Sequence, residues 1–167
     1  MSVDDLRIGH GIDVHAFSSS FDPEQPLVLA AVTLPEERSL VAHSDGDVVL
    51  HAICDALLGA VAAGDIGQHF PDNDAQYAGA DSSLLLREVL DIIHERGFHL
   101  VNVDVTVIAQ VPKLAPYRQL MMNKLAELLR LDAERVNLKA TTTERLGYLG
   151  REEGIACHCV ALLAKTA

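Results

Sequence analysis

The segment spanning residues 48–63 constrains the fold most, because it is apolar on nearly every side. Its sequence, VVLHAICDALLGAVAA, contains only two strongly polar residues, His51 and Asp55. A helix of this composition has no polar face to turn toward water, so it must be buried nearly all round. We therefore predict a helix over residues 47–63 that lies inside the domain.

A single polar stripe runs along this predicted helix. Asp47, His51 and Asp55 are spaced by four residues and therefore lie on one side. A buried polar group without a partner costs about 1–3 kcal/mol. The partner of His51 can be explained in two ways. His51 is a core histidine bonded to a carboxylate, the usual case for a lone histidine, or it holds a metal ion with Asp55 supporting it from the outer shell.

An Asp-x-His motif near the start of the chain favours the metal. Asp13 and His15 lie on a predicted strand, where residues two apart point to the same side. With His51 they offer one carboxylate and two imidazoles, a donor set that suits four-coordinate Zn²⁺. Three ligands with an open fourth position are typical of a catalytic site. His43, in the motif His-Ser-Asp-Gly-Asp, is an alternative fourth ligand that would close the site and make it structural.

Hydrophobic periodicity divides the rest of the chain into short strands and two more helices. The predicted strands span residues 7–14, 27–34, 101–110, 135–142 and 154–163, and the predicted helices span 47–63, 82–96 and 117–131. Asp81 is a suitable N-cap for the second helix and Gly97 a suitable end. We expect an α+β fold (an α/β sandwich) in which helices pack on one face of a mixed sheet.

The first strand has two different faces. Gly9 and Gly11 share the face of Asp13 and leave space beside it. The opposite face carries Ile8, Ile12 and Val14, with His10 among them, and we expect these apolar residues to belong to the core.

Length and composition limit the class of protein. The 167 residues predict one domain over 1–167, with residues 1–6 as a disordered extension. A net charge of −11 argues against nucleic acid as the main partner. The three cysteines lack the spacing of a disulfide framework, and no apolar run reaches membrane-spanning length. We therefore expect a cytoplasmic protein whose thiols lie in the core and which does not contact membranes.

Three further segments have both an ordinary and a functional interpretation. Residues 64–67 and 70–74 form a connection or a flap over the metal site. Residues 109–115 lead from a strand into a helix, where backbone N–H groups can bind phosphate or a base edge and Lys113 adds a charge. Residues 139–144 are ordinary sheet, or they offer hydroxyls and a carboxylate to a phosphate-bound metal ion.

Together these motifs resemble the family of 2-C-methyl-D-erythritol 2,4-cyclodiphosphate synthases, enzymes of the non-mevalonate (MEP) isoprenoid pathway. The resemblance covers the chain after residue 6 and includes Gly-His-Gly-Ile-Asp-Val-His at residues 9–15. It implies a homotrimer with active sites between subunits, and zinc on Asp13, His15 and His51. It also implies a second divalent ion, Mg²⁺ or Mn²⁺, near Glu144, and transition-state stabilisation by His43 and Thr142.

The resemblance further implies which residues bind the nucleotide-diphosphate substrate. These positions are Asp13, Val14, His15, His43, Ser44, Asp65, Ile66, Gly67, Phe70, Pro71, Asp72, Asn73, Asp74, Ala109, Gln110, Val111, Pro112, Lys113, Leu114, Ala115, Thr141, Thr142, Thr143, Glu144, Tyr148 and Arg151. Arg151 and Glu153 also match positions near the trimer axis, where family members can hold an isoprenoid diphosphate. Two features depart from the family pattern: Ala30-Ala31 stands where Gly-Gly is frequent, and the loop at residues 18–26 is longer than usual.

The implied reaction converts 4-diphosphocytidyl-2-C-methyl-D-erythritol 2-phosphate into the cyclodiphosphate and CMP, which makes the chain a phosphorus–oxygen lyase. Two alternatives stay open on the residues alone. One is a zinc phosphodiesterase that activates water. The other is a non-catalytic, zinc-stabilised protein that binds an isoprenoid diphosphate and keeps a closed four-ligand metal site.

Overall fold

The computed structural model describes residues 2–71 and 79–166 and is built around a mixed four-stranded sheet. The strand order is β1-β6-β4-β5, in which only the β4–β5 pair is parallel. These strands span Leu6–Ala16 (β1), Phe98–Ile108 (β4), Val136–Thr141 (β5) and Gly154–Lys165 (β6). Two further strands, β2 (Val28–Leu29) and β3 (Val32–Thr33), form a separate small hairpin.

The helices cover one face of this sheet, as predicted. They span Val48–Ala60 (α1), Ile66–His69 (α2), Ser82–Glu95 (α3), Arg118–Leu129 (α4) and Gly147–Gly150 (α5). Helix α1 packs on β1 and β6, α3 packs on α1, and α4 packs on β5. The predicted burial of α1 is confirmed, since nearly all of its apolar side chains are inaccessible to solvent. Asp81 caps α3 as expected, and its side chain accepts a hydrogen bond from the backbone N–H of Ser83.

The expectation that Ile8, Ile12 and Val14 belong to the core is wrong. Their exposed fractions are 73%, 47% and 43%. The core face of β1 is instead its glycine face, because the backbone of α1 approaches it closely. A Cβ on Gly9 would lie 1.7 Å from the carbonyl oxygen of Ala56, and helix and strand could not then keep this separation.

The opposite face of the sheet, here called the open face, is not covered by any described helix of the same chain. It carries apolar and polar side chains in rows across the four strands. Its members include Ile8, His10, Ile12 and Val14 on β1, His158 and Val160 on β6, Asp104 and Thr106 on β4, and Lys139 on β5. A face with this many exposed apolar residues is typical of a protein–protein contact surface.

Two stretches differ in detail from their predictions. The single strand predicted over 27–34 is a hairpin whose turn residues Ala30 and Ala31 have φ angles of 55° and 56°. Glycine, which is frequent at these two positions in the family, adopts this left-handed backbone without strain. Residues 2–5 form a capped turn that leads into β1, with Ser2 as the cap.

The three cysteines are free and buried, as expected. Among the described residues no helix has the length and apolar character needed to cross a membrane.

Candidate metal centre

Three side chains from β1 and α1 converge at one end of the sheet. Asp13 Oδ2 lies 3.0 Å from His15 Nε2 and 3.0 Å from His51 Nδ1. The two imidazole nitrogens are 3.3 Å apart. Ligands of a tetrahedral zinc ion are separated by about 3.3 Å, because each Zn–N or Zn–O bond is about 2.0–2.2 Å long. The three atoms therefore form a triangle of the size of one face of a zinc tetrahedron.

The electrostatics of the triangle favour an ionised Asp13. Burial alone raises the pKa of this carboxyl group. Hydrogen bonds and charge interactions with His15 and His51 outweigh burial, and the net effect is a pKa well below the usual range for aspartate. Asp13 is therefore a carboxylate at neutral pH, which is the form that binds metal.

His15 is oriented for ligation by a backbone carbonyl. Its Nδ1 lies 3.0 Å from the carbonyl oxygen of Val41, which can only accept a hydrogen bond. With an ion bound in the triangle, the ring hydrogen of a neutral His15 would therefore sit on Nδ1. The lone pair of Nε2 would then face the ion on the side of Asp13 and His51. The donor set and its orientation fit Zn²⁺.

A cleft of about 410 Å³ opens over this triangle. Several predicted substrate-binding residues line it, namely His43, Ser44, Ile66, Gly67 and Phe70. His43 lines the cleft but does not join the triangle. Within the described parts of the chain, the acidic, histidine and cysteine side chains close enough to share one ion are Asp13, His15 and His51.

The second predicted cluster lies at the opposite edge of the sheet. Residues 109–112 and 141–145 lie side by side there, joined by a hydrogen bond from the N–H of Ala109 to the carbonyl of Thr141 (3.0 Å). Thr142 donates its hydroxyl hydrogen to Glu144 at 3.1 Å. Because β1 and β5 are the two outer strands, three strand spacings of about 4.8 Å put these clusters roughly 14 Å apart. Within one chain, the residues of the metal triangle lie together and those of the second cluster lie together. The triangle and the second cluster, however, are too far apart to form one site.

The remaining predicted residues fall in different surroundings. The side chain of Val14 is on the open face and points away from the cleft. Asp65 caps α2 by accepting a hydrogen bond from the N–H of Gln68. Tyr148 and Arg151 are exposed, and Arg151 pairs with Glu153 at 2.7 Å. Asp72, Asn73 and Asp74 lie outside the described residues. Among the other predicted binding positions, Pro71 follows Phe70, and Thr143 follows β5. The segment between β4 and α4, the helix that packs on β5, holds Gln110, Val111, Pro112, Lys113, Leu114 and Ala115.

Among the described residues, Asp55 is not hydrogen-bonded to His51, which it was predicted to support. Its carboxylate accepts a hydrogen bond from the N–H of Ile66 at 2.8 Å and so positions α2 at the rim of the cleft. On the side of the ring away from the triangle, the partners of His51 are instead Ser82 and, at a longer distance, Ser44. Sequence reasoning missed Ser82 because it lies 31 residues away on another helix, and no local spacing signals that contact.

The fold and the site define a small α/β protein with a candidate metal-binding triad, whose side chains come from an Asp-x-His strand and a buried helix. A model of the YgbB family matches residues 6–164, and the chain belongs to that family. Among its curated relatives, the 2-C-methyl-D-erythritol 2,4-cyclodiphosphate synthase of Aliivibrio fischeri is 58% identical over 160 residues, covering 96% of this chain and 99% of the relative. That of Vibrio cholerae is 56% identical, with the same coverage.

Solved structures agree with the sequence comparison. The bifunctional IspDF from Campylobacter jejuni matches with a TM-score of 0.89 and 44% identity. That match covers 96% of this chain but only 42% of the bifunctional protein. The Plasmodium falciparum IspF structure, a CDP complex, matches with a TM-score of 0.84 and 34% identity, over 99% of this chain and all of the other.

Proposed function

We propose that the chain converts 4-diphosphocytidyl-2-C-methyl-D-erythritol 2-phosphate into 2-C-methyl-D-erythritol 2,4-cyclodiphosphate and CMP. The observation that carries this proposal is the Asp13–His15–His51 triangle at the base of a cleft, in a chain of this family. The 2-phosphate attacks the β-phosphorus of the same molecule, a P–O bond forms, and the bond to the CMP oxygen breaks. CMP takes the electron pair of that bond, so no water is consumed.

The reaction requires the protein to align the substrate and to neutralise its charge, and it does not require a general base. The attacking phosphate oxygen is already anionic, and phosphoryl transfer depends mainly on alignment and electrostatic stabilisation. Bound ions, Zn²⁺ on Asp13, His15 and His51 and Mg²⁺ or Mn²⁺ at Glu144, would supply Lewis-acid neutralisation of the phosphate oxygens. The described cleft accordingly offers hydrogen-bond donors and candidate metal ligands to the phosphates.

His43 and Thr142 are assigned to the reacting phosphates. The ring of His43 is exposed at the cleft, so a substrate phosphate can reach it. The hydroxyl of Thr142 is exposed next to Glu144. Both groups can donate hydrogen bonds to phosphate oxygens as charge shifts from the attacking to the leaving group. Residues 109–115, with Lys113, are assigned to the cytidine diphosphate end of the substrate.

A complete site then needs a second copy of the chain. The metal triangle and the Thr142–Glu144 cluster lie at opposite edges of one sheet, so the β1 edge of one copy must meet the β5 edge of the next. A head-to-tail contact of this kind closes into a ring when the rotation between copies is suitable. We assign a homotrimer, with the open face turned toward its axis and Arg151 placed to hold an isoprenoid diphosphate there. The buried free thiols suit the reducing cytoplasm.

Product analysis tests the reaction. The purified protein with Zn²⁺, Mg²⁺ and the named substrate is expected to yield CMP and a cyclic diphosphate in a one-to-one ratio, without inorganic phosphate, as measured by phosphorus NMR. Two phosphomonoester products instead of a cyclic one would show a zinc phosphodiesterase. Full metal content without turnover would show a binding protein.

A further inference from the structure

A chain of hydrogen bonds leads from His51 away from the metal triangle. His51 Nε2 lies 2.9 Å from the hydroxyl oxygen of Ser82. That hydroxyl is in turn hydrogen-bonded to the carboxylate of Asp45, whose other oxygen accepts the backbone N–H of Ser82 at 3.0 Å. Ser82 is fully buried, so water does not compete for its hydroxyl group.

Counting hydrogens along this chain places a hydrogen on Nε2 of His51. A serine hydroxyl has one hydrogen, and a carboxylate can only accept. The hydroxyl hydrogen of Ser82 therefore goes to Asp45, and Ser82 Oγ must accept a hydrogen from His51 Nε2. With an ion in the triangle in place of the hydrogen bond between Nδ1 and Asp13, a neutral imidazole that keeps its hydrogen on Nε2 would offer the lone pair of Nδ1 to that ion. Nδ1 is the atom that lies 3.0 Å from Asp13 Oδ2 and 3.3 Å from His15 Nε2.

The two segments that carry this chain of hydrogen bonds are joined to each other. The N–H of Asp45 donates to the carbonyl of Ala80 at 3.1 Å, and the N–H of Gly79 donates to the carbonyl of His43 at 2.8 Å. The N–H of Asp47 donates to the Asp45 carboxylate at 3.1 Å. The start of α3 is thereby fixed against the segment that precedes α1, and His51 Nε2 faces an acceptor held in place.

We propose that Asp45 and Ser82 are positioning residues that fix His51 in its Nε2–H tautomer and thereby set the affinity of the centre for metal. This inference rests on the proposed metal site, since the tautomer matters only if Nδ1 is a ligand. Partners of this kind orient a histidine ligand and raise its basicity. Neither residue touches the triangle itself, so both act through His51.

Metal affinity tests the proposal with a matched pair of variants. Ser82→Ala is expected to weaken Zn²⁺ binding by about 10- to 100-fold, as measured by competition with a chromophoric chelator. Ser83→Ala is the control, because Ser83 is the next buried residue of α3 and its hydroxyl has no hydrogen-bond partner among the described residues. Asp45→Asn is expected to weaken binding as well. Equal affinity in Ser82→Ala and Ser83→Ala would overturn the proposal.

The tautomer itself can be read in the zinc-loaded protein. In ¹⁵N-labelled wild type, NMR of the imidazole nitrogens is expected to show the hydrogen of His51 on Nε2, protected from exchange with water by buried Ser82, and Ser82→Ala is expected to make this hydrogen exchange rapidly. A merely structural role of Ser82 would lower stability without changing this signature. A hydrogen on Nδ1 in the wild type would contradict the proposal, even if Ser82→Ala did not fold. Neither measurement involves substrate, so failure of the proposed reaction would be seen separately.

Discussion

Replacement of His51 by alanine is expected to remove zinc and activity together. Two ligands, Asp13 and His15, would remain, and two ligands hold Zn²⁺ poorly. The fold should survive, because the imidazole borders the cleft and its loss opens no large apolar cavity. Zinc content by atomic absorption, with circular dichroism as the control for folding, decides this. Full zinc content in folded His51→Ala would rule out His51 as a ligand.

His43→Gln provides the matched comparison in the same cleft. His43 lies outside the triangle, so this variant is expected to keep nearly all of its zinc. It should lose mainly kcat, since a hydrogen-bond donor to a developing charge contributes about 2.7–4 kcal/mol, or roughly 10²–10³ in rate. Loss of zinc from His43→Gln would indicate a closed four-ligand site, and the catalytic interpretation of the metal would have to be abandoned.

Two inactive variants are expected to regain activity when their subunits are mixed. Asp13→Ala damages the metal half of the site, and Thr142→Ala with Glu144→Gln damages the half at the β5 edge. If each site joins the metal half of one copy to the β5 edge of the next, random mixing of equal amounts leaves about one quarter of the sites intact. Co-refolding of the two variants, followed by a CMP-release assay, measures this fraction.

A mixture of two variants damaged in the same half is the control. Asp13→Ala with His51→Ala should stay inactive, because no pairing of these chains has a complete metal triangle. If mass spectrometry shows mixed assemblies of Asp13→Ala with the β5-edge variant and activity is still absent, the site is not shared between chains.

The sequence was sufficient to predict elements whose own composition dictates their surroundings. Helix α1 is apolar on nearly all sides, so its burial followed directly. The residue types at Asp13, His15 and His51 indicated a candidate metal site, and these three side chains do converge. Both depend on local chemistry: an apolar helix cannot face water, and a carboxylate with two imidazoles suits zinc.

The wrong predictions concern surfaces whose burial depends on which other element packs against them. Alternation along β1 separates two faces but does not say which is buried, and the apolar face with Ile8 and Ile12 is the exposed one. The two-residue strands and the four-residue helices α2 and α5 are too short for periodicity to be seen. The link from Ser82 and Asp45 to His51 is a tertiary contact that no local pattern encodes.

The reaction in ¹⁸O-labelled water, with mass spectrometry of the products, tests the central claim most directly. An intramolecular attack by the 2-phosphate uses no water. The cyclic diphosphate and CMP are therefore expected to carry no ¹⁸O when the reaction runs on the Asp13–His15–His51 centre. Incorporation of ¹⁸O into either product at the time of its formation would show that water is the nucleophile and would contradict the account.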